Sequence, residues 1–213
     1  MLRYARTVIG YHGCDESTAA RLLRGEPFRP STNAYDWLGS GIYFWEYGPD
    51  RALKFAEEQR RRGKVKRPAV VGAILQLGRC FDLLDTRWTT ELEQAYRAFA
   101  DNMRAMKLDL PVNRGRTADR ELRYLDNAVL NWFLPWMRSR GTAFDSVRCA
   151  FVEGEPIYEG SGIHAKSHIQ ITILDPTCIV GVFLPTQQVG AILQFHDAIR
   201  ASDLDRGQGG LIP

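Results

Sequence analysis

Three short stretches hold the residues best able to do chemistry. Val8-Ile9-Gly10-Tyr11-His12-Gly13 ends an apolar run in a histidine and a glycine. Tyr35 to Glu46 crowds Tyr35, Trp37, Tyr43, Phe44 and Trp45 around the pair Gly39 and Gly41. Ser167 to Asp175 sets His168 and Gln170 two residues apart in a mostly apolar segment. Glycine permits backbone angles and close approaches that a side chain forbids. Ile42, Tyr43, Phe44 and Trp45 are bulky and partly β-branched, as a strand prefers. A glycine turn that launches an aromatic strand can hold a ring face up to a ligand, and a cationic ligand gains about 0.5–2 kcal/mol on such a face. A glutamine hydrogen-bonds as donor and acceptor but brings no charge.

The elements that must position these groups follow from pattern and punctuation. Thr7 to Tyr11 suits a buried strand, and Asp15 to Arg24 a helix capped by Asp15 or Ser17 and ended by Gly25. Pro27 to Pro30 runs extended. Pro49-Asp50 opens a second helix with Ala52, Phe55 and Ala56 on one face. Its end is basic, from Arg60, Arg61 and Arg62 to Lys64, Lys66 and Arg67. Cations favour a helix C-terminus, so this run is either a solvated helix end or a polyanion-binding patch. Pro68 to Leu77 is near-continuous in apolar residues, the mark of a strand inside a sheet.

From Trp88 to Phe133 the period becomes helical, in two helices broken between Leu110 and Thr117. Leu92, Tyr96, Phe99 and Met103, then Leu122, Leu125, Val129 and Phe133, form their apolar stripes. Strands are expected at Ser146 to Phe151, His168 to Leu174 and Ile179 to Phe183, and a last helix from Gln188 to Ala201. The whole chain is expected to form one domain with a helical insertion at 86–140 and a flexible glycine-rich tail at 203–213.

His-Gly at a strand end, then Gly-x-Gly-Ile-Tyr-Phe, then a helix with a further aromatic, resembles the NAD-binding half of the ADP-ribosyltransferase superfamily. The likeness is closest to its diphtheria-toxin and poly-ADP-ribose-polymerase branch. That resemblance implies an α+β fold, a split β-sandwich of two facing, mostly antiparallel sheets with NAD between them. It implies that Tyr43 and Phe55 stack the nicotinamide, that His12 binds a ribose hydroxyl, and that the Gly13 backbone reads the carboxamide. Ser40 or Ser31 would touch the ribose or phosphates. The branch carries a catalytic glutamate on a late strand, at the position held here by Gln170. Gln170 can orient the ribose but supplies no charge, which favours transfer of one ADP-ribose over chain elongation. Glu153, Glu155 and Glu159 precede that strand, and each is either an exposed loop charge or the missing acid.

The implied reaction consumes NAD as a substrate, needs no metal, and modifies a macromolecular acceptor, either RNA, DNA or protein. Small members of the superfamily resemble toxins of toxin–antitoxin or phage-defence systems, which would add an antitoxin as a partner. The alternatives are an NAD- or ADP-ribose-binding module with weak catalysis, and a relative of the RNA 2′-phosphotransferases.

Composition bounds the choice. The 213 residues, 45% hydrophobic and 25% charged, are ordinary for a globular chain, and a net charge of +3 neither requires nor excludes nucleic acid. No apolar run could span a bilayer and no leader is evident, so a cytoplasmic protein without a membrane partner is expected. Cys14, Cys80, Cys149 and Cys178 stand far apart, as reduced thiols would. A dinucleotide fingerprint would need glycine at Phe44, and the phosphate loop, the nucleophile elbow and the His-Glu-x-x-His helix are all missing from the sequence.

Overall fold

The computed structural model describes residues 6–115 and 120–185. The expected helix at 188–201, the tail at 203–213 and Arg116 to Thr117 of the inter-helix linker lie outside them. The elements run β1 (Thr7–Asp15), α1 (Glu16–Leu23), β2 (Ile42–Glu46), α2 (Pro49–Arg61), β3 (Pro68–Gln76), β4 (Cys80–Asp82), α3 (Thr86–Ala105), α4 (Tyr124–Ser139), β5 (Ser146–Phe151), β6 (His168–Ile173) and β7 (Ile179–Phe183). The strands form one seven-stranded mixed sheet in the order β4-β5-β6-β2-β1-β3-β7. All neighbours are antiparallel except β4 and β5. The fold is therefore α+β.

Strand alternation sorts the core onto two faces. Phe44, Ala73, Leu75, Ile171 and Ile173 point to one, where Val8 and Cys178 join them. On that same side, α1 lays Ala19 and Leu22 against Ala69 and Val71 of β3. The opposite face is covered in two places. Helix α2 puts Ala52 against Trp45 and Val70. Helices α3 and α4 pack Ala95, Leu130 and Phe133 on Phe81 and Val147 at the far end of the sheet. Strand β3 is thus buried on both sides from Ala69 to Ala73, which accounts for its apolar run there, while Ile74 is exposed.

Residues 86–140 form the expected pair of helices, but the α3 stripe is rotated from its expected line. Ala95 and Phe99 are buried while Tyr96 is exposed. Asp15 caps α1 by accepting from the Ser17 amide (3.0 Å) and also accepts from the amides of Lys66 (2.8 Å) and Arg67 (3.1 Å), which ties the start of β3 to the end of β1. A buried charge cluster holds the other end of the core. Arg148 on β5 binds Glu46 on β2 (2.5 and 3.1 Å) and Asp82 on β4 (3.1 and 3.2 Å). Among the described residues no helix is long and apolar enough to cross a membrane.

Strands β1 and β2 share only the registered pairs Gly10–Glu46 and Tyr11–Trp45, whereas β1 runs beside β3 from Thr7 to Asp15. Beyond Tyr11 the two strands part. That divergence, flanked by α2 on one side and by the 31–41 loop on the other, opens a cleft.

Candidate functional site

The cleft has a volume of about 620 Å³, within the range of small-molecule sites. His12, Gly13, Tyr43, Phe55 and Gln170 all line it, from β1, β2, α2 and β6. Ser40 does not. Its amide instead donates to Asn131 Oδ1 on α4 (2.9 Å), and Ser31, paired with Gly41 through two backbone bonds, lines the cleft in its place. Ser40 is better placed to hold the turn than to touch a ligand.

His12 sits where β1 has left β2. Its Nδ1 lies 2.9 Å from the Tyr43 carbonyl. A carbonyl only accepts, so Nδ1 carries the proton. Burial, opposed by that hydrogen bond, pushes the imidazole below its ordinary pKa, so the ring is neutral at pH 7 and Nε2 keeps a lone pair. Such a ring can accept a hydrogen bond from a sugar hydroxyl. Gly13 is required by packing: a Cβ there would stand 2.0 Å from the Ala52 carbonyl oxygen of α2. The absent side chain lets the helix seat directly on the strand at the edge of the cleft.

Tyr43 is fixed through its hydroxyl, which donates to the Gly39 carbonyl (2.6 Å) and accepts from the Leu38 amide (2.8 Å). Burial keeps that hydroxyl protonated, well above the ordinary phenol range. Both of its hydrogen-bonding roles are spent on the loop, so Tyr43 offers the cleft a ring and not an acid or base. The loop is in turn clasped by α4. Asn127 Nδ2 donates to the carbonyls of Asn33 (3.3 Å) and Asp36 (3.1 Å), and Asn131 Nδ2 donates to Asn127 Oδ1 (2.9 Å). Gly39, at φ +77°, takes the left-handed turn this requires.

Phe55 does line the cleft, but its ring contact is with Trp45 (centroids 5.0 Å apart) and not with Tyr43. Trp45 also lines the cleft, two residues along the strand from Tyr43 and so on the same face. Alternation along β2 was signal enough to find it. Gln170 is 8% exposed, and its Oε1 is buried with no hydrogen-bond partner, as is Trp45 Nε1. His168, on the same face of β6, is enclosed by Trp37, Trp45 and Phe151 and does not line the cleft. Its Nδ1 is 2.7 Å from the Lys166 carbonyl, and burial lowers its pKa.

Of the three glutamates before β6, Glu155 and Glu159 are exposed. Glu153 is 5% exposed and lines the cleft. Both of its oxygens accept from Arg51 Nη2 (2.8 and 2.7 Å), and Lys166 Nζ is 3.7 Å away. Arg51 itself lies over the Trp45 ring, 5.4 Å from its centroid. The carboxylate is inside the site but already neutralised. Arg51 and Lys166 gave no signal in the sequence, because Arg51 meets Glu153 across 102 residues and Lys166 meets Glu58 across 108.

The mouth of the cleft is cationic. Arg61, Arg62 and Lys64 from the end of α2 line it, with Arg29 from the extended segment after α1. Three residues of the basic run expected at the end of α2 are therefore part of the site. Burial raises all four thiols, Cys14 and Cys80 to about 12 and Cys149 and Cys178 to about 11, so none is a ready nucleophile at neutral pH. Among the described residues no cluster of His, Cys, Asp and Glu is placed to hold a metal ion.

The cleft as a whole offers aromatic faces, a neutral histidine acceptor and an uncharged amide on its floor, under a positively charged mouth. No known protein family's sequence pattern matches the chain, and no solved structure matches it. Among curated proteins it is similar to the uncharacterized protein MJ0359 of Methanocaldococcus jannaschii, with 29% identity over 113 residues. That match covers 51% of this chain and 51% of the archaeal protein, so the chain spans about half the length of the curated relative it matches.

Proposed function

We propose that this chain transfers a single ADP-ribose from NAD to a macromolecular acceptor, in a cleft of the ADP-ribosyltransferase kind. The observation that carries the reading is convergence. His12, Gly13, Tyr43, Phe55 and Gln170, drawn from four elements spread over most of the chain, meet in one cleft of about 620 Å³. The parting of β1 from β2 after Tyr11 supports the split of the sheet that such a fold requires.

In this reading the bond between nicotinamide nitrogen and ribose C1′ breaks, and its electron pair leaves with nicotinamide. The sugar passes through an oxocarbenium-like state, and an acceptor nucleophile closes on C1′ and sheds its proton. Tyr43 holds the pyridinium by its ring face, an attraction of about 0.5–2 kcal/mol. Phe55 and Trp45 close the aromatic wall. The neutral His12 accepts from a ribose hydroxyl through Nε2, and Gln170 orients the second ribose. Glu153 is the most deeply buried carboxylate on the cleft wall, but Arg51 cancels most of its field. The developing positive charge is therefore stabilised less than a free carboxylate would allow, which favours slow, single transfer.

The same uncharged Gln170 favours a second reading, a module that binds NAD or ADP-ribose with little chemistry. Incubating the protein with NAD and following free nicotinamide separates the two. Release with transfer to acceptor is expected; binding with no release would leave the module. A third outcome, loss of a phosphate from 2′-phosphorylated RNA in the presence of NAD, would mark a phosphotransferase. A failure to bind NAD at all would refute the proposal.

A further inference from the structure

The cations at the cleft mouth are more than the site needs for internal balance. Arg51 and Lys166 are occupied by Glu153 and Glu58. Arg29, Arg61, Arg62 and Lys64 are exposed and have no carboxylate partner among the described residues. The negative end of the α2 dipole accounts for a cation or two at that helix terminus. It does not account for Arg29, which comes from a separate segment between α1 and β2. Like charges brought to one mouth from two segments repel unless an anion lies between them. Nor is the patch a reflection of general basicity, since the whole chain carries only +3. Arg60 and Lys66, next to them in the sequence, are exposed as well, so the cations at this mouth are several and not a single point. A carboxylate is not wholly absent from the wall: Asp36 and Glu121 also line the cleft.

The same cleft also presents half-exposed rings. Tyr35 and Trp37 line the same cleft from the 31–41 loop. Trp37 is held by its Nε1 donating to the Glu121 carbonyl (2.8 Å) and by the Arg123 guanidinium, 4.6 Å from the ring centroid. A cationic groove with aromatic side chains along it is the general solution for binding single-stranded nucleic acid, where phosphates pair with the cations and bases stack on the rings. A base inside a duplex could not reach the cleft floor without leaving its stack.

We infer that the acceptor is a single-stranded nucleic acid, whose phosphates follow Arg29, Arg61, Arg62 and Lys64 while a base enters the cleft beside Tyr35 and Trp37. As an assignment of the acceptor, this rests on the ADP-ribosyl transfer reading; as a binding surface, it stands apart from it. In the transfer, a nucleophilic atom of the nucleotide bonds to ribose C1′, nicotinamide departs with the electron pair of the broken bond, and the nucleophile's proton passes to solvent.

The test is fluorescence anisotropy with fluorescein-labelled single strands of about twelve nucleotides, as RNA and as DNA, against the duplex of the same sequence, using the full chain. Single strands are expected to bind at least about tenfold more tightly than duplex, and the RNA and DNA arms identify which is preferred. With four cations each meeting a phosphate, log K against log salt should fall with a slope near about −3. The Arg61→Glu/Arg62→Glu/Lys64→Glu variant should flatten that slope to a magnitude under about 1 and weaken binding more than tenfold, with an unchanged melting temperature as the check on folding. Arg29→Glu, on the separate segment, should lose roughly one unit of slope by itself. A flat salt response, equal binding of duplex, or displacement of the strand by saturating ADP-ribose would overturn the inference, the last because the cations would then be seating the dinucleotide's own diphosphate. Strand binding that persists in a protein releasing no nicotinamide would refute the transfer reading alone and leave the surface standing.

Discussion

Replacing Tyr43 separates two jobs that the structure gives to one side chain. In Tyr43→Phe the ring stays, but the Gly39 carbonyl and the Leu38 amide lose their partner at 2.6 and 2.8 Å. Each such bond contributes about 1 kcal/mol net, and the buried Leu38 and Gly39 give water little access to the groups left behind. The expected loss is about 2 kcal/mol, or a fall in Tm of roughly 4–8 °C for a chain of this size. NAD affinity should change by less than about threefold, because the stacking face is intact. Tyr43→Ala removes that face as well. Forfeiting about 0.5–2 kcal/mol of attraction weakens NAD binding by about 2- to 30-fold beyond Tyr43→Phe. Thermal denaturation reads the first effect and calorimetric NAD titration the second. If Tyr43→Phe melts with the parent, the hydroxyl does not hold the loop. If Tyr43→Ala binds NAD as tightly as Tyr43→Phe, the ring is no stacking platform and the proposed use of the cleft fails.

Three further outcomes are expected. Gly13→Ala drives a Cβ against the Ala52 carbonyl oxygen, so α2 must shift at a cost of about 3 kcal/mol or more, visible as a lowered denaturation midpoint. Arg148→Ala leaves Glu46 and Asp82 only the half-exposed Arg6, 3.5 and 3.6 Å away, as a partner and should cost about 3 kcal/mol, the low end for a broken buried pair; Arg148→Met with Glu46→Gln should recover part of that loss in the same measurement. His12 and His168 are both held below their ordinary pKa by burial. Below about pH 6.5 the unfolded chain therefore takes up protons that the folded chain resists, and stability should fall as pH drops from there toward the lowered folded values. Melting curves between pH 7.5 and 5 should show that slope, and His12→Asn should reduce it, with His168 supplying what remains.

The sequence revealed local structure far better than it revealed assembly. The bounds of β5 and β7 were legible because turn residues flank short apolar runs there, and α1 because Asp15 and Gly25 punctuate it. Strand β1 continues to Asp15, past the expected end at Tyr11, since pairing with Val71, Val70 and Ala69 carries it through Gly13, a residue that reads as a break. Tyr96 looked inward by spacing, but the rotation of α3 on the sheet is set by Phe81 and Val147, strands apart in sequence. The same limit hid the cleft's ion pair. Arg51 and Glu153 are 102 residues apart, and neither carries a local mark of the other, so Glu153 resembled its exposed neighbours Glu155 and Glu159. Of the two serines that the family resemblance offered, Ser31 lines the cleft, whereas the side-chain amide of Asn131 has a prior claim on the Ser40 backbone.

That claim has a wider consequence. The span from 86 to 139 lends the cleft wall almost none of its own surface, yet two amides on α4, Asn127 and Asn131, grip the segment from Asn33 to Ser40 from behind. The grip works like the back-plate of a hinge, bearing on a part that moves only if the plate does. A molecule that pries α4 off the sheet, gripping its outward-facing Trp136, would slacken Tyr43 without ever entering the cleft.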